Sequence, residues 1–236
     1  NNRRAFGSAM LRSDHLRSTW DPSQAFIRGQ PAHGADMADE LENRIIALHG
    51  SNTIAAVVVE PMAGSTGVLV PPVGYLQRLR EICDRHGLLL IFDEVITGFG
   101  RLGHWFAAQR FGVVPDMILF AKTVSNGAVP LGGVLVKREI HDTLMRGPLH
   151  LAELMHGYTC SGHPLACAAG LAMIDLLEDE QLIQQADALS QPFEDAVHAL
   201  RAVPGVVSVR NIGLAAGIEL APLPGQPGLR GAQVPE

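Results

Sequence analysis

The chain has 236 residues and a formal net charge of −6, and 47% of its residues are hydrophobic. A chain of this length and composition can bury a substantial core, which excludes an intrinsically disordered protein. The basic residues are scattered along the sequence, so we predict no nucleic-acid partner. The longest nearly apolar run, residues 165–177, is too short to cross a bilayer, so we predict no membrane partner.

Helical and strand patterns alternate along residues 36–137. Apolar residues recur at helical spacing in three segments, 36–49, 74–87 and 104–111. A continuous run rich in β-branched residues predicts a buried strand at 53–61, and a second buried strand is predicted at 88–95. Third and fourth strands are predicted at 117–122 and 132–137. This alternation predicts the α/β class, with a mainly parallel sheet and flanking helices.

The rest of the chain has a different pattern. We predict a helical block from 164 to about 202, with Pro164 in its first turn and a break or kink at Pro192. Residues 206–222 predict strands of a smaller second domain. The chain is therefore divided into part of a large domain (1–165), a helical segment (166–205) and an incomplete small C-terminal domain (206–236).

The cysteines and the chain ends suggest where the protein works and whether it is complete. Cys83, Cys160 and Cys167 are an odd number without a disulfide framework, which is typical of the reducing cytoplasm. We therefore predict a cytoplasmic protein. The chain begins without a Met and ends in a segment rich in Pro and Gly, so we expect a fragment of a longer protein.

Charged residues stand at the ends of three predicted strands. They are Glu60, Asp93 with Glu94, and Lys122. In an open α/β sheet, ligands bind at the carboxyl ends of the strands. Each residue alone has a structural explanation, because a strand end meets solvent and a charge costs little there. Three strand ends that each bring charge to one edge favour a functional site.

The chain contains only two lysines, Lys122 and Lys137. A lysine at the edge of a hydrophobic sheet is expected to be partly desolvated, which lowers its pKa and leaves an amine able to form a Schiff base with an aldehyde. Pyridoxal phosphate (PLP) is such an aldehyde, and it requires a carboxylate against its pyridine nitrogen, for which Asp93 is the candidate. The alternative is a structural Asp93–Lys122 ion pair. We predict that Lys137 is a solvated strand end.

Three motifs in chain order give a more specific indication. They are "VVVEPMAGSTGVLVPPVGYLQRLREICDRHGLLLIFDEVITGFGRLG", "PDMILFAKTVSNGAVPLGG" and "HGYTCSGHPLACAAG". Together they cover residues 53–170 and resemble the class III aminotransferases, which are PLP-dependent enzymes of fold type I. Within this class the chain is most similar to the ω-amino acid–pyruvate branch, whose type is β-alanine–pyruvate aminotransferase. The resemblance implies that residues 1–165 are part of the PLP-binding large domain.

The resemblance also implies a role for each matching residue. Lys122 would hold PLP as the internal aldimine and then move the substrate proton. Asp93 would bind the pyridinium nitrogen, and Val95 would pack on one face of the ring. Thr159 would hydrogen-bond the cofactor phosphate of a partner subunit, which implies a homodimer. Glu60 would support the site from the neighbouring strand end.

Departures from the family pattern concern the substrate and completeness. Residues 63–67, "AGSTG", stand where many members have Gln-Gly-Glu-Gly-Gly, so Ser65 replaces a glutamate found in members that use glutamate. Ile96 stands where many members have a Gln, and Ile is usual in the ω-amino acid branch. The resemblance thus implies an ω-amino acid such as β-alanine, or an amine, as donor and pyruvate as acceptor. The family's phosphate-binding loop and substrate arginine have no match here, so an inactive truncated chain is an alternative.

Two further patterns suggest rival functions. Residues 98–103, "GFGRLG", match the G-x-G-x-x-G motif of a nucleotide-cofactor oxidoreductase, although four residues separate them from the preceding strand. The alternative is a glycine-rich loop packed under the site. His156, Cys160, His163 and Cys167 have spacing similar to a zinc site. The alternative for Cys167 is a small buried thiol packed within a helix.

Overall fold

The computed structural model of the chain describes residues 13–147, 150 and 157–222. The strands among these residues form a four-stranded sheet and a two-stranded hairpin. In chain order they are β1 (Ala56–Val59), β2 (Leu89–Asp93), β3 (Met117–Phe120), β4 (Gly133–Val136), β5 (Val206–Ile212) and β6 (Ala215–Leu220). The α-helices are α1 (Ala47–His49), α2 (Tyr75–His86), α3 (Ala107–Phe111), α4 (Arg138–Leu144), α5 (Pro164–Asp179) and α6 (Leu182–Ala199).

The larger sheet has the strand order β1-β2-β3-β4. Strands β1, β2 and β3 are parallel, and β4 returns antiparallel beside β3. The pairing aligns Val59 with Phe92 and Asp93 with Leu119, so the three parallel strands end at the same edge. The prediction of a mainly parallel α/β sheet is confirmed.

The main core lies between this sheet and α2. The apolar residues of α2 recur at helical spacing, so they share the side that faces the sheet, where Leu90 and Phe92 are fully buried. Gly87 ends the helix with a φ of +67°, a left-handed conformation that glycine adopts at little cost. Burying each large side chain contributes about 2 kcal/mol, so α2 is fixed by packing. The buried residues of α2 are Tyr75, Leu76, Leu79, Ile82 and Cys83.

The opposite face of the sheet is more open. Val58 pairs with Ile91 in register. Because side chains alternate along a strand, Val58, Ile91 and Asp93, which is two residues beyond Ile91, lie on this face. Val58 is 60% exposed. The prediction that residues 53–61 form a buried strand is therefore wrong in two respects. β1 is shorter than predicted, and only one of its faces is covered by the core.

The predicted helices differ in detail from the observed ones. The first is helical but irregular, with a 3-10 turn at Ala35–Asp39 and a π-helix at Leu41–Ile46 before α1. The sequence analysis missed α4. The prediction of a break at Pro192 is wrong, because α6 continues through this residue. Buried side chains on either side of the proline hold the helix. The helical block breaks instead at Gln181, whose φ is +54°. In the described part of the chain, no helix is long and apolar enough to cross a membrane.

The predicted strands of residues 206–222 are confirmed as the β5–β6 hairpin. The hairpin packs on the first part of the described chain, since the N–H of Val209 and the hydroxyl of Ser208 both donate to the carbonyl of Ala25. Ile212 belongs to the same core as β2. The division of the chain into a large and a small domain stays a prediction.

Candidate functional site

Three charged residues lie where the parallel strands end. Glu60 follows β1, Asp93 is the last residue of β2, and Lys122 comes two residues after β3. Because these strands are parallel neighbours, their carboxyl ends share one edge of the sheet. Glu60 lies next to Asp93 in register, since Val59 pairs with Phe92. The structure therefore brings these residues to one edge, and their chemical roles stay predictions.

Asp93 is half-buried and keeps one carboxylate oxygen uncommitted. Its Oδ1 accepts the N–H of Val95 at 3.1 Å, which fixes the side chain in a turn at the strand end. No hydrogen bond from a described residue reaches Oδ2. A carboxylate held in this way can accept a hydrogen bond from a protonated ring nitrogen at its free oxygen.

Lys122 is exposed, and its side-chain amine makes no hydrogen bond or ion pair with any other described residue. Its φ is +53°, a left-handed conformation that is uncommon for a residue other than glycine. The expected partial desolvation of Lys122 is not observed among the described residues, because this residue is exposed although Asp93 at the same edge is half-buried. The proposed Asp93–Lys122 ion pair is also wrong, since the two charged groups are not within 4.0 Å.

Lys137, in contrast, is held in a network of charges. Its Nζ lies 2.8 Å from Oδ1 of Asp116, and the same carboxylate binds Arg80 and the N–H of Leu90, each at 2.7 Å. Burial favours a higher pKa for Asp116, but these donors outweigh it and the pKa is lowered. Lys137 is therefore an ion-pair partner rather than merely solvated, whereas the amine of Lys122 has no partner among the described residues.

The loop of residues 63–67 lies beside Glu60 and contacts its side chain. Oε2 of Glu60 accepts the N–H of Gly64 at 2.9 Å. A Cβ added to Gly64 would lie 2.5 Å from Cδ1 of Ile96, so Gly64 and the Ile96 side chain are in close contact. Val95 and Ile96 are half-buried and lie in the turn that begins after Asp93. The loop therefore contacts both the β1 end and the turn after β2.

Glu94 is a buried carboxylate to which the sequence analysis gave no separate role. It is 0% exposed and accepts hydrogen bonds from the hydroxyl of Thr97 and from the N–H groups of Ala107 and Ala108. These amides open α3, so Glu94 caps that helix from a distance. Burial raises the pKa of Glu94, although the hydrogen bonds oppose the shift. Because Glu94 is distant from α3 in sequence, local sequence patterns do not predict this cap.

The glycine-rich loop of residues 98–103 is covered by the protein itself. A Cβ at Gly100 would lie 2.9 Å from Ile183, and one at Gly103 would lie 2.7 Å from Oδ1 of Asp187. Both glycines therefore pack against α6. A dinucleotide-binding loop instead leads directly into a helix and leaves its amides open to phosphate. The geometry supports the packing interpretation over an oxidoreductase.

The zinc pattern finds no support in the described part of the chain. His156 lies outside the described residues, and no group of three or more His, Cys, Asp or Glu side chains among those described could hold a metal ion. Cys167 is exposed, so its prediction as a buried packing thiol is wrong. The closely packed side of α5 carries Ala166 and Gly170 instead.

Thr159 does not join the strand-end residues. It is exposed in a turn before α5, which the N–H of Ser161 closes by donating to the carbonyl of Tyr158 at 2.8 Å. Its hydroxyl makes no hydrogen bond with Glu60, Asp93 or Lys122. Its predicted contact with a partner's cofactor phosphate stays a prediction.

Comparison with known families gives one match over most of the chain. The model of the family described as aminotransferase class-III matches residues 15–225. That range contains all of the strand-end residues and Thr159.

Individual relatives of the chain are also named as aminotransferases. The chain is 55% identical to an omega-aminotransferase of Caulobacter vibrioides, covering 99% of this chain and 53% of the relative. It is 53% identical to a beta-alanine–pyruvate aminotransferase of Pseudomonas aeruginosa, covering 97% of this chain and 51% of the relative. The chain thus spans about half the length of the curated relatives it matches.

A solved structure of similar fold is an amine transaminase from an uncultivated Pseudomonas species in its PLP-bound form. It shares 44% identity with the chain at a TM-score of 0.73, covering 79% of this chain and 42% of that one.

Proposed function

The chain belongs to the class-III aminotransferases, and from this membership we propose that it carries the lysine and aspartate of a PLP-dependent transaminase. The enzyme would move an amino group from an ω-amino acid such as β-alanine, or from an amine, to pyruvate. One observation carries the proposal. Lys122 and Asp93 lie at the ends of neighbouring parallel strands, and no described residue binds the amine of Lys122 or Oδ2 of Asp93.

The side chains at this edge fit PLP by the chemistry of their donors and acceptors. The free oxygen of Asp93 would accept the hydrogen bond of the ring nitrogen, and Val95 would flank the ring. The amine of Lys122 would bind the aldehyde carbon. When bound, PLP supplies an electron sink that stabilises negative charge on the substrate carbon.

Each residue then has a distinct task. Asp93 keeps the ring nitrogen protonated because its negative charge favours the protonated form. Lys122 would hold the cofactor through its amine, and the same amine would take and return the substrate proton as a general base and acid. Glu60 keeps the loop of residues 63–67 in place through Gly64.

Residues of the loop and of the turn after β2 support the substrate assignment. Ser65 is exposed in the loop and carries no charge that could respond to a second carboxylate. Ile96 presents an apolar side chain where it contacts Gly64. Two relatives are named for omega-amino or β-alanine–pyruvate transamination, which agrees with a donor of one carboxylate or none.

We further infer a homodimer in the cytoplasm. Thr159 is exposed and separate from the strand ends, so it is available to a second subunit's cofactor phosphate. The free cysteines Cys83, Cys160 and Cys167 agree with a reducing compartment.

Borohydride trapping tests the proposal. The full-length protein would be loaded with PLP and reduced, which fixes the cofactor to whichever lysine holds it, and the labelled peptide would be identified by mass spectrometry. We expect label on Lys122 and none on Lys137, which is occupied by Asp116. Lys137→Arg is the matched control and should retain labelling and turnover, whereas Lys122→Arg should lose both. Label on Lys137, or turnover in Lys122→Arg, would contradict the assignment.

A further inference from the structure

Arg210 lies on β5, and its residue is only 8% exposed. Its Nη1 donates to the hydroxyl of Ser208 and to Oε2 of Glu219, which is 3.3 Å away. Its guanidinium lies over the ring of Trp20, 4.6 Å from the centroid. A buried arginine is costly unless its donors are paired, so these contacts hold the guanidinium in one orientation.

In this orientation the guanidinium of Arg210 contacts the loop of residues 63–67. Its Nε donates to the carbonyl oxygen of Gly67 at 2.9 Å. The carbonyl oxygen of Gly67 is also in close contact with Gly217 of β6, because a Cβ added to Gly217 would clash with this oxygen. The far end of the loop is therefore fixed by a charged donor on one strand of the hairpin and by close backbone packing on the other.

The near end of the same loop contacts the strand-end residues. Glu60 accepts the N–H of Gly64, and Gly64 packs on Ile96. Ile96 follows Val95, whose N–H donates to Oδ1 of Asp93. Inside the loop, the carbonyl of Gly64 accepts the N–H groups of Gly67 and Val68 at 3.1 and 3.0 Å. The loop is a closed turn, so a displacement at Gly67 is transmitted to Gly64.

We propose that Arg210 is a positioning residue for the strand-end site, acting through the loop of residues 63–67. The inference rests on the proposed function, because only that function makes this loop a neighbour of a PLP site. Arg210 itself contacts neither Asp93 nor Lys122. It sets the position of Gly67, and the closed turn carries that position to Gly64, Glu60 and Ile96. The β5–β6 hairpin thereby determines the shape of a site at the edge of the other sheet.

The test compares Arg210→Met with Arg28→Met in the full-length protein. Arg28 forms ion pairs with Glu194 and Asp195 of α6, so its replacement removes charged contacts near the hairpin without touching the loop. Amide hydrogen exchange of the peptide covering residues 61–70, measured without PLP, reports the loop independently of any activity. Equilibrium titration with PLP then gives the cofactor dissociation constant. Arg210→Lys, which keeps the charge but loses the planar fork, replaces Arg210→Met if that variant does not fold.

We expect Arg210→Met to speed exchange in this peptide and to weaken PLP binding, each by about tenfold, the effect of losing one charged hydrogen bond. Arg28→Met should change neither. Unchanged exchange in Arg210→Met would overturn the positioning role, and faster exchange with unchanged PLP affinity would overturn its link to the site. If the unsubstituted protein takes no label on Lys122, the proposed function fails, and the exchange comparison still decides whether Arg210 positions the loop.

Discussion

Replacing Glu94 should destabilise the protein far more than replacing an exposed glutamate. Glu94→Ala removes the acceptor of two backbone N–H groups at the start of α3 and of the Thr97 hydroxyl, in a place that water does not reach. Each unpaired buried donor costs about 1–3 kcal/mol, and loss of a helix cap costs about 0.5–2 kcal/mol. Because these costs overlap, we expect a total near 3 kcal/mol.

Thermal unfolding at neutral pH measures this loss. About 3 kcal/mol corresponds to a melting temperature lower by roughly 6–12 °C in a protein of this size. The matched control is Glu81→Ala on α2, whose side chain is 62% exposed and pairs with Arg78 at 3.2 Å. An exposed pair contributes about 0–1 kcal/mol, so the control should melt within a few degrees of the unsubstituted protein. Equal melting temperatures for the two variants would refute the capping role of Glu94.

The pH dependence of stability gives a second test of the same group. Burial raises the pKa of Glu94 in the folded protein above its ordinary value of 4.5. Between the unfolded and folded pKa values the folded state holds more protons, so this group makes stability fall as pH rises through that window. Glu94→Gln cannot titrate and should lack this component. An unaltered pH profile in Glu94→Gln would show that Glu94 does not cause it.

Three further predictions concern other parts of the chain. Asp93→Asn should lower turnover by at least about a hundredfold, because a neutral amide no longer keeps the ring nitrogen protonated, and steady-state kinetics near the unsubstituted rate would contradict this role. Asp116→Asn should lower stability by about 3 kcal/mol, because it leaves Arg80 with a weakened partner, and chemical denaturation at neutral pH would measure it. Burial raises the pKa of Cys83 to about 11, so iodoacetamide at pH 8 should label the exposed Cys160 and Cys167 but spare Cys83 until the protein unfolds.

The strand-end residues were predictable because their signal is local. An apolar run followed by a charged residue identifies a strand and its end, and parallel pairing then places successive ends at one edge. Glu60, Asp93 and Lys122 follow this rule in the structure. The pattern could not predict how exposed each side chain is or which charged groups it contacts. The exposure of Lys122 and the ion pair of Lys137 depend on residues that are distant in sequence.

Other features depended on contacts that no local pattern encodes. Pro192 was expected to break a helix, but α6 continues because packing outweighs the loss of one backbone hydrogen bond. Glu94 caps a helix that begins at Ala107, and the hydrogen bond from Arg210 to Gly67 joins residues 143 positions apart. Such partners are selected by the arrangement of the sheet, the helices and the hairpin.

The sequence by itself thus determined the α/β class, the positions of the strands along the chain and the charged residues at their ends, because hydrophobic periodicity and the residues that end a strand are local signals. The tertiary structure alone decided which lysine has an uncommitted amine, which carboxylate is buried, and how the loop of residues 63–67 is held. These properties arise from burial and from charges brought together across the chain, and Coulombic and desolvation energies depend on distance in space rather than separation in sequence.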